Sequence, residues 1–386
     1  MAKETSGYKA PWYFYWKTKG NGGKYIVNNK CNHVMKKYKD GWDCQRVYYS
    51  DGDWGYVLDA NGNYPTVSGS GAKLTGTSKT DEIYNAGDKA VINAGKGADT
   101  INNGGNWYDF WGHDGYWHDG GDSVTIDAGA GNDSINISGD SVTINAGDGA
   151  DTIDNWGYDV TIDAGAGNDS ISNNVEKVTI LAGDDKDTIV NRSSNVSINA
   201  GNGNNSIFND SEKVTILAGA GNDSIFNGEY YDSNWHWHDG GDSVTIDAGD
   251  GDDTIVNHSS NVSINGGDGQ NLISLTGGKD ISIKGGKDTE TFIIEAYNNL
   301  TASIQSGEGK NIIQFLGSWE GYGGNFLSVS GGVNEVSSIQ TTNNTLITGA
   351  GDDSVTIGSD YNSIIAGTYD ISADGLDADY ILVKSG

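Results

Sequence analysis

The sequence predicts an all-β fold, a parallel β-solenoid (β-roll) of about fifteen coils that follows a small N-terminal, β-rich aromatic module. Three observations predict it. An octet with glycine and aspartate returns at regular intervals, short segments that alternate apolar and polar residues lie between the octets, and 59 glycines stand against two prolines in 386 residues. A fixed repeat of this kind is typical of solenoids, whose coils bury their apolar side chains by stacking.

The N-terminal module spans residues 1–65 and differs from the rest of the chain in charge and composition. It carries ten Lys and Arg against six Asp and Glu, and fourteen of its residues are aromatic, including all five from Trp12 to Trp16. Turn pairs such as Asp51-Gly52 between aromatic and β-branched residues favour short hairpins. The glycine- and serine-rich stretch 67–71 marks a boundary, so we expect the solenoid to occupy residues 72–386.

The clearest octet is Ala128-Gly129-Ala130-Gly131-Asn132-Asp133-Ser134-Ile135, and from there the pattern returns every 18 residues as far as Ala218. Octets begin at Gly76, Ala94, Ala128, Ala146, Ala164, Ala182, Ala200, Ala218, Ala248, Gly266, Gly285, Ser306, Ser330, Thr348 and Ala366. Between them lie segments such as Val124-Thr125-Ile126, with two apolar side chains on one face. Each coil therefore has two strands and two turns, and stacking makes a narrow core of Ile and Val.

The octet also has the chemistry of a calcium site. Glycine at the second and fourth places permits a tight turn that exposes backbone carbonyls, and aspartate at the sixth place adds a carboxylate. Calcium takes about six to eight such oxygen ligands. The octets resemble the repeats of the RTX, or hemolysin-type, calcium-binding family, whose unit is Gly-Gly-x-Gly-x-Asp-x-apolar-x. The resemblance spans most of residues 76–371 and implies several calcium ions between stacked turns.

The resemblance also implies which residues bind the ions. The carboxylate ligands would be Asp99, Asp133, Asp151, Asp169, Asp187, Asp223, Asp253 and Asp353. The carbonyl ligands would come from Gly95, Gly97, Gly129, Gly131, Gly147, Gly149, Gly165, Gly167, Gly219, Gly221, Gly249 and Gly251. In RTX proteins the motif usually occupies both turns of a coil, whereas here it returns once per 18 residues. We therefore expect one calcium column with an ordinary turn opposite, a pattern similar to calcium-bound solenoids in some giant bacterial adhesins.

Some octets depart from the pattern. Asn205 and Asn271 replace the aspartate, Glu290 replaces it in another coil, and Asp185 replaces a glycine, which predicts weaker or empty sites there. The alternative for all octets is that Gly and Asp are simply good turn formers. Because residues 66–386 carry 13 basic against 47 acidic residues, we expect the calcium-free chain to be largely disordered.

Four interruptions of the repeat are rich in aromatic residues, and all fall in the turn opposite the octet. The candidate partner-binding residues are Trp107, Trp111, Trp117, Tyr230, Tyr231, Trp235 and Trp237; the two shorter interruptions contain Trp156 and Tyr158, and Trp319 and Tyr322. Solenoids keep equivalent positions in register, so we expect one aromatic edge that contacts glycans or another protein. The alternative is that each insertion packs on its own coil. The histidines beside these rings, His113, His118, His236 and His238, are interpreted as polar loop residues.

Other classes are disfavoured. No catalytic motif occurs, so we do not expect an enzyme. The acidic solenoid would repel nucleic acid, and no run of 18 apolar residues predicts a membrane span. Residues 1–5 lack the apolar core of a secretory signal, so export would need another route or a signal that this sequence does not contain. Cys31 and Cys44 form either one disulfide or two free thiols.

These features favour an extracellular or cell-surface, calcium-binding structural protein. It would fold on calcium and build a surface layer, matrix or filament through head-to-tail or lateral self-association. The alternative is a cell-surface adhesin that binds glycans through the aromatic edge. Ice binding is disfavoured, because the third and fifth octet places form no regular threonine ladder.

Overall fold

The protein is all-β. The structure, a computed structural model, describes residues 25–27, 34–36, 47–48, 54–58, 73–76, 78–85, 88–104, 121–228, 230–231, 237–238, 241–296, 300–317, 326–331, 333–339, 345–348, 352–357, 363–366, 368–373 and 380–383. These residues contain strands and turns but no helix. None of them therefore belongs to a helix long and apolar enough to cross a membrane.

The chain divides into two compact units, Met1–Ala182 and Gly183–Gly386. Each is a parallel β-solenoid in which every coil adds one strand to each of two sheets. The first sheet holds the strands that lead into the octet turn, and the second sheet holds the strands that leave it. The boundary between the units falls inside the first-sheet strand Thr179–Asp184.

The strand bounds follow the repeat. First-sheet strands of the N-terminal unit are Lys73–Thr75, Val91–Lys96, Thr125–Ala130, Thr143–Asp148 and Thr161–Ala166, and its second-sheet strands are Glu82–Asn85, Thr100–Asn103, Ser134–Ile137, Thr152–Asn155 and Ser170–Asn173. First-sheet strands of the C-terminal unit are Ser197–Asn199, Thr215–Ala220, Thr245–Asp250, Ser263–Asn265, Ile281–Lys284, Thr301–Gln305, Phe326–Ser330, Thr345–Thr348, Ser363–Ala366 and Tyr380–Val383. Its second-sheet strands are Thr188–Asn191, Ser206–Asn209, Ser224–Asn227, Thr254–Asn257, Leu272–Thr276, Thr291–Ala296, Lys310–Gly317, Val333–Ile339, Asp352–Ile357 and Thr368–Ala373.

Equivalent residues of successive coils pair in register. Thr143 pairs with Thr125 and with Thr161, and Ile144 pairs with Ile126. Because side chains alternate across a strand, Ile144 points inward and is buried while Thr143 is exposed. The core is therefore a narrow column of Ile, Val and Ala, as the alternating segments predict.

The predicted count of fifteen coils differs slightly from the structure. Twelve first-sheet strands lie between Val91 and Ser330, which gives about twelve regular turns, and shorter paired strands precede and follow them. The octet at Ser330 is also out of phase with the sequence pattern. Its buried polar and apolar residues are Asn334 and Val336, one place earlier than the octet pattern predicts.

The turn opposite the octet has a feature that the sequence analysis did not predict. A buried asparagine ends most second-sheet strands, and its side chain joins the next coil: Asn191 Nδ2 donates to Asn209 Oδ1, and Asn209 Nδ2 donates to Asn227 Oδ1, both at 2.7 Å. The same amide also donates to a backbone carbonyl of its own turn, as Asn209 does to Ser211 O at 2.8 Å. An amide ladder therefore closes the side of the coil that faces away from the octets.

The strand Trp54–Leu58 of the predicted N-terminal module joins the solenoid directly. It pairs antiparallel with Glu82–Asn85, the first second-sheet strand, so that Val57 lies opposite Ile83. An antiparallel strand at this position covers a sheet edge that would otherwise present unpaired backbone groups. Two further antiparallel pairs are Tyr25–Val27 with Val34–Lys36 and Val47–Tyr48 with Trp54–Leu58. Cys31 and Cys44 lie outside the described residues.

Close stacking of the octet turns predicts a large cost for a side chain at their glycines. A Cβ at Gly251 would overlap Gly221 O, whereas a Cβ at Gly277, which also has positive φ, would meet nothing within 4 Å. We expect Gly251→Ala to lower the free energy of unfolding by about 3 kcal/mol or more, since a backbone clash adds to backbone strain. The matched change Gly277→Ala should cost only about 1–2 kcal/mol. Urea unfolding followed by circular dichroism measures both, and equal losses would contradict the stacking.

Candidate metal centre

The octet turns stack backbone on backbone. Each of the twelve glycines predicted to supply carbonyl ligands has a positive φ, from 102° at Gly249 to 149° at Gly149. A Cβ at Gly129 would overlap Gly95 O, and one at Gly131 would overlap Gly97 O. Only glycine permits both the backbone conformation and this approach, so carbonyl oxygens of one coil lie against the backbone of the next.

The sixth octet place forms a buried row of acidic side chains. Asp99, Asp133, Asp151, Asp223 and Asp253 are each at most 2% exposed, as are Asp169 and Asp187. One carboxylate oxygen, Oδ1, accepts a hydrogen bond from the backbone of the preceding coil. Asp133 N donates to Asp151 Oδ1 at 2.7 Å, and Asp223 N donates to Asp253 Oδ1 at 2.8 Å. This bond fixes the orientation of the side chain within its turn.

The second carboxylate oxygen has no such bond. In Asp99, Asp133, Asp151, Asp223 and Asp253, Oδ2 is buried and no hydrogen-bond donor reaches it. Buried polar atoms in proteins nearly always have a partner, because an unsatisfied one costs about 1–3 kcal/mol and a charged one costs more. A row of such oxygens therefore requires a positive partner, either a cation or a proton.

Two coils have asparagine at the sixth octet place, and they indicate which groups lie near the second carboxylate oxygen of the aspartate coils. Asn205 repeats the Oδ1 contact of its neighbours, since Asp187 N donates to it at 2.9 Å, and its Nδ2 lies 3.3 Å from Gly203 O and 3.4 Å from Ala218 O. Asn271 Nδ2 lies 3.4 Å from Gly269 O and 3.5 Å from Gly267 O. In the aspartate coils we infer that Oδ2 occupies this place, where it faces the same carbonyl oxygens.

These oxygens fit a calcium ion. Two ligands that approach an ion at about 2.4 Å and at right angles are about 3.4 Å apart, close to the separations that the asparagine coils show. The donors are all hard oxygens, a carboxylate and several carbonyls, as calcium prefers. Among the described residues, no group of three or more His, Cys, Asp or Glu side chains is placed to hold a metal ion.

The octets that contain Asp185 and Glu290 depart from the repeat in different ways. Asp185, which replaces a glycine at the fourth place, adopts a φ of 80°, which is positive like that of the fourth-place glycines but smaller than, for instance, the 123° of Gly203. Glu290 is fully buried, but both of its oxygens are satisfied: Oε1 accepts from Gly286 N at 2.9 Å and Oε2 from Asn271 N at 3.0 Å. The longer glutamate side chain therefore uses protein donors where the aspartate side chain leaves one oxygen without a donor.

Burial makes these carboxyl groups hold protons when no cation is present. Removal from water raises the pKa of Asp99, Asp151 and Asp223 to about 6, and that of Asp253 to about 7. The backbone hydrogen bond to Oδ1 opposes the rise, and the charges of neighbouring acidic residues add to it at Asp99, Asp151 and Asp253. Burial likewise raises the pKa of Asp133 and Glu290.

The structure brings most predicted ligands together. All twelve glycines and seven of the eight aspartates lie in the octet turns as predicted. Of Asp353, only the backbone is described, in the strand Asp352–Ile357. Nothing in the octet pattern indicated that the carbonyl of the first octet residue, such as Ala218 O, also faces the site.

The predicted aromatic edge is described only in part. Trp107, Trp111, Trp117 and Trp235 lie outside the described residues. The backbones of Tyr230–Tyr231 and Trp237–His238 form a short antiparallel hairpin, with Tyr231 opposite Trp237. In the shorter interruption, Trp156 is 58% exposed and Tyr158 is 39% exposed. Trp156 Nε1 donates to Asp154 Oδ2 at 3.0 Å, and the ammonium of Lys177 lies 4.8 Å from the centre of the Tyr158 ring.

The fold and the octet turns indicate the class of β-solenoid. The chain is a parallel β-solenoid of stacked coils of about 18 residues with Asp and Asn ladders, an arrangement compatible with an RTX-type β-roll. Comparisons with protein-family models and with curated proteins found no match for it.

The raised pKa values predict how stability depends on pH without calcium. Because the folded carboxyls have pKa values of about 6–7 and unfolded ones about 3.9, the folded chain binds more protons between these limits. The calcium-free protein should therefore be most stable near pH 4 and lose stability as pH rises to 7.5. Thermal unfolding of dialysed protein at pH 4.5 and 7.5 measures this. Asp151→Asn should reduce the difference, the exposed control Asp163→Asn should not, and a rise in stability with pH would contradict the prediction.

Proposed function

We propose that this protein is an extracellular, calcium-binding structural protein whose solenoid folds when calcium binds to the octet turns. The observation that carries the proposal is the row of buried Oδ2 atoms that lack hydrogen-bond donors. From the asparagine coils we infer that these atoms face carbonyl oxygens. Calcium would supply the missing positive charge and join successive coils, so ion binding and folding would be coupled. No catalytic role is needed to account for these residues.

The composition of the site supports an extracellular location. Each turn offers one carboxylate from its own coil, and the remaining ligands are uncharged carbonyls. Calcium affinity falls as the number of charged ligands falls, and weak sites serve the roughly millimolar calcium found outside cells. A site of this kind would stay empty at the much lower calcium levels of a cytoplasm.

An assembly role follows from the shape of the repeat and its charge. Stacked coils present long polar faces, and calcium would offset the 47 acidic residues that residues 66–386 carry against 13 basic ones. Self-association into a surface layer, matrix or filament is the use that we propose for such a body. The strand Trp54–Leu58 covers the first strand of the second sheet, so we propose lateral contacts rather than contacts through that edge.

Exchange of one aspartate tests the calcium sites. An asparagine side chain at position 223 would keep the Oδ1 contact with Asn205 N and would place an amide donor against the carbonyls, as Asn205 does. We expect Asp223→Asn to bind one calcium ion fewer in equilibrium dialysis, and to be more stable than the native chain by about 1–3 kcal/mol without calcium at pH 7.5.

Two variants sharpen this test. Asp163→Asn removes the same charge from an exposed position, so its calcium stoichiometry should equal that of the native chain. Asn205→Asp restores the common octet residue and should bind one ion more. If Asp223→Asn and Asp163→Asn bind equal amounts of calcium, the octet turns are not the binding sites.

A second candidate function is glycan binding by an adhesin. The observation that favours it is Trp156, whose ring is largely exposed although its Nε1 is held by Asp154. Exposed aromatic rings stack on sugar faces, and a neighbouring carboxylate and amide can bind hydroxyl groups. Asp154 and Asn174, whose Nδ2 donates to Asp154 Oδ1 at 3.2 Å, are placed for this.

A glycan array tests the second candidate. Trp156→Ala should weaken binding of the calcium-loaded protein by about tenfold or more, since loss of a stacked ring costs of the order of 1.4 kcal/mol. Phe326→Ala, which removes another exposed aromatic ring, is the matched control and should leave binding unchanged. If neither the native chain nor the variants bind any glycan, the adhesin function is excluded and the assembly function stands alone.

A further inference from the structure

The octet turns of residues 266–336 differ from the aspartate turns in the hydrogen-bond partners of their row of buried polar side chains. The row continues here as Asn271, Glu290, Asn311 and Asn334, all buried. We refer to residues 266–336 as the neutral-row segment. It lies wholly in the C-terminal unit and follows directly on the aspartate coils of residues 188–258.

Each polar side chain of this row has protein partners for the atoms that face the turn. Glu290 accepts from two backbone N–H groups, and its own N donates to Asn311 Oδ1 at 3.0 Å. Asn311 Nδ2 donates to Gly309 O at 3.2 Å, and Asn334 Nδ2 donates to Gly331 O at 2.8 Å. The four residues of the row therefore contain no buried oxygen that requires a cation, in contrast to Asp223 and Asp253 in the coils before it.

The charge balance changes at the same place. Residues 188–258 carry two basic and 11 acidic residues, a net charge of −9, whereas the equally long segment 266–336 carries four basic and eight acidic, a net charge of −4. Lys287 pairs with Asp268 at 2.7 Å, and Lys310 lies 3.4 Å from Glu335. These exposed pairs contribute little individually, but the segment has less repulsion for a bound cation to offset.

The core of the segment is also more apolar. In the coil that contains Ser224–Asn227, the two inward residues of the second-sheet strand are Ile225 and Asn227. In the neutral-row segment the equivalent pairs are apolar at both places: Ile273 with Leu275, and Phe292 with Ile294, all fully buried. Extra apolar burial stabilises a coil without any ion.

We propose that the neutral-row segment stays folded when calcium is absent and that the aspartate coils of residues 188–258 form on it when calcium returns. This inference rests on the proposed function, because it divides the chain into coils that need calcium and coils that do not. The three observations that carry it are independent: satisfied polar atoms, a smaller net charge and a larger apolar core. Parallel strands of the segment offer a formed edge on which the next coil can pair.

Hydrogen exchange measured by mass spectrometry on the full chain tests the proposal. In calcium, peptides from both regions should be protected. In dialysed protein at pH 7.5, peptides of 188–258 should lose protection. Peptides of 266–336 should then exchange about tenfold more slowly than the peptides of 188–258. When calcium is added back, protection should spread from residue 258 toward residue 188.

The outcomes separate this inference from the proposed function. If calcium removal exposes both regions equally, the neutral-row segment is not independent, although calcium-coupled folding stands. If calcium removal changes neither region, calcium-coupled folding fails and the inference fails with it. Asn271→Asp is a further check, since it puts an unsatisfied carboxylate into the segment and should make peptides near residue 271 depend on calcium. Glu308→Gln, at an exposed position, is the control and should leave the pattern unchanged.

Discussion

Close contact between the backbones of successive octet turns is the constraint on which the rest of the structure depends. A carbonyl oxygen of one coil lies where a Cβ of the next would stand, so glycine is strongly favoured in the turn, although Asp185 replaces it in one coil, and the carbonyls crowd together. This crowding leaves the side chain at the sixth octet place facing oxygens in a dry environment. Whatever occupies that place must bring a positive group, whether an ion, a proton or an N–H.

Three residue types meet this requirement at the sixth octet place, each by a different chemical route. Aspartate leaves Oδ2 for a cation or a proton, asparagine supplies its own amide, and Glu290 reaches two backbone donors. All three keep the bond from the preceding backbone N–H to a side-chain oxygen, so the coils stack in the same register whichever residue is used. The irregular octets are therefore not damaged copies of the motif. In the function that we propose, they would set how strongly each part of the solenoid depends on an ion.

The sequence predicted the features that arise from local, repeated chemistry: the strands, the apolar column, and the glycines and aspartates of the octet. It missed the asparagine ladder, although Asn155, Asn173 and Asn191 recur at one place, because asparagine near a turn is usually explained by turn preference alone. The sequence predicted that Glu290 weakens its site. It could not show which backbone N–H groups Glu290 binds, because the reach of a glutamate depends on distances that a sequence does not contain.

The proposed dependence on an ion is consistent with so narrow a core. A regular coil buries few apolar side chains, for instance Val142, Ile144, Ala146 and Ile153, against the entropy of ordering about 18 residues. Hydrogen bonds between stacked coils add modestly to this, because the unfolded chain makes equivalent bonds to water. A buried, unsatisfied carboxylate in each turn lowers the stability further until a cation binds. If calcium is that cation, as we propose, coils built in this way would hold their fold only where calcium is plentiful, and the folding equilibrium itself would restrict where the protein acts.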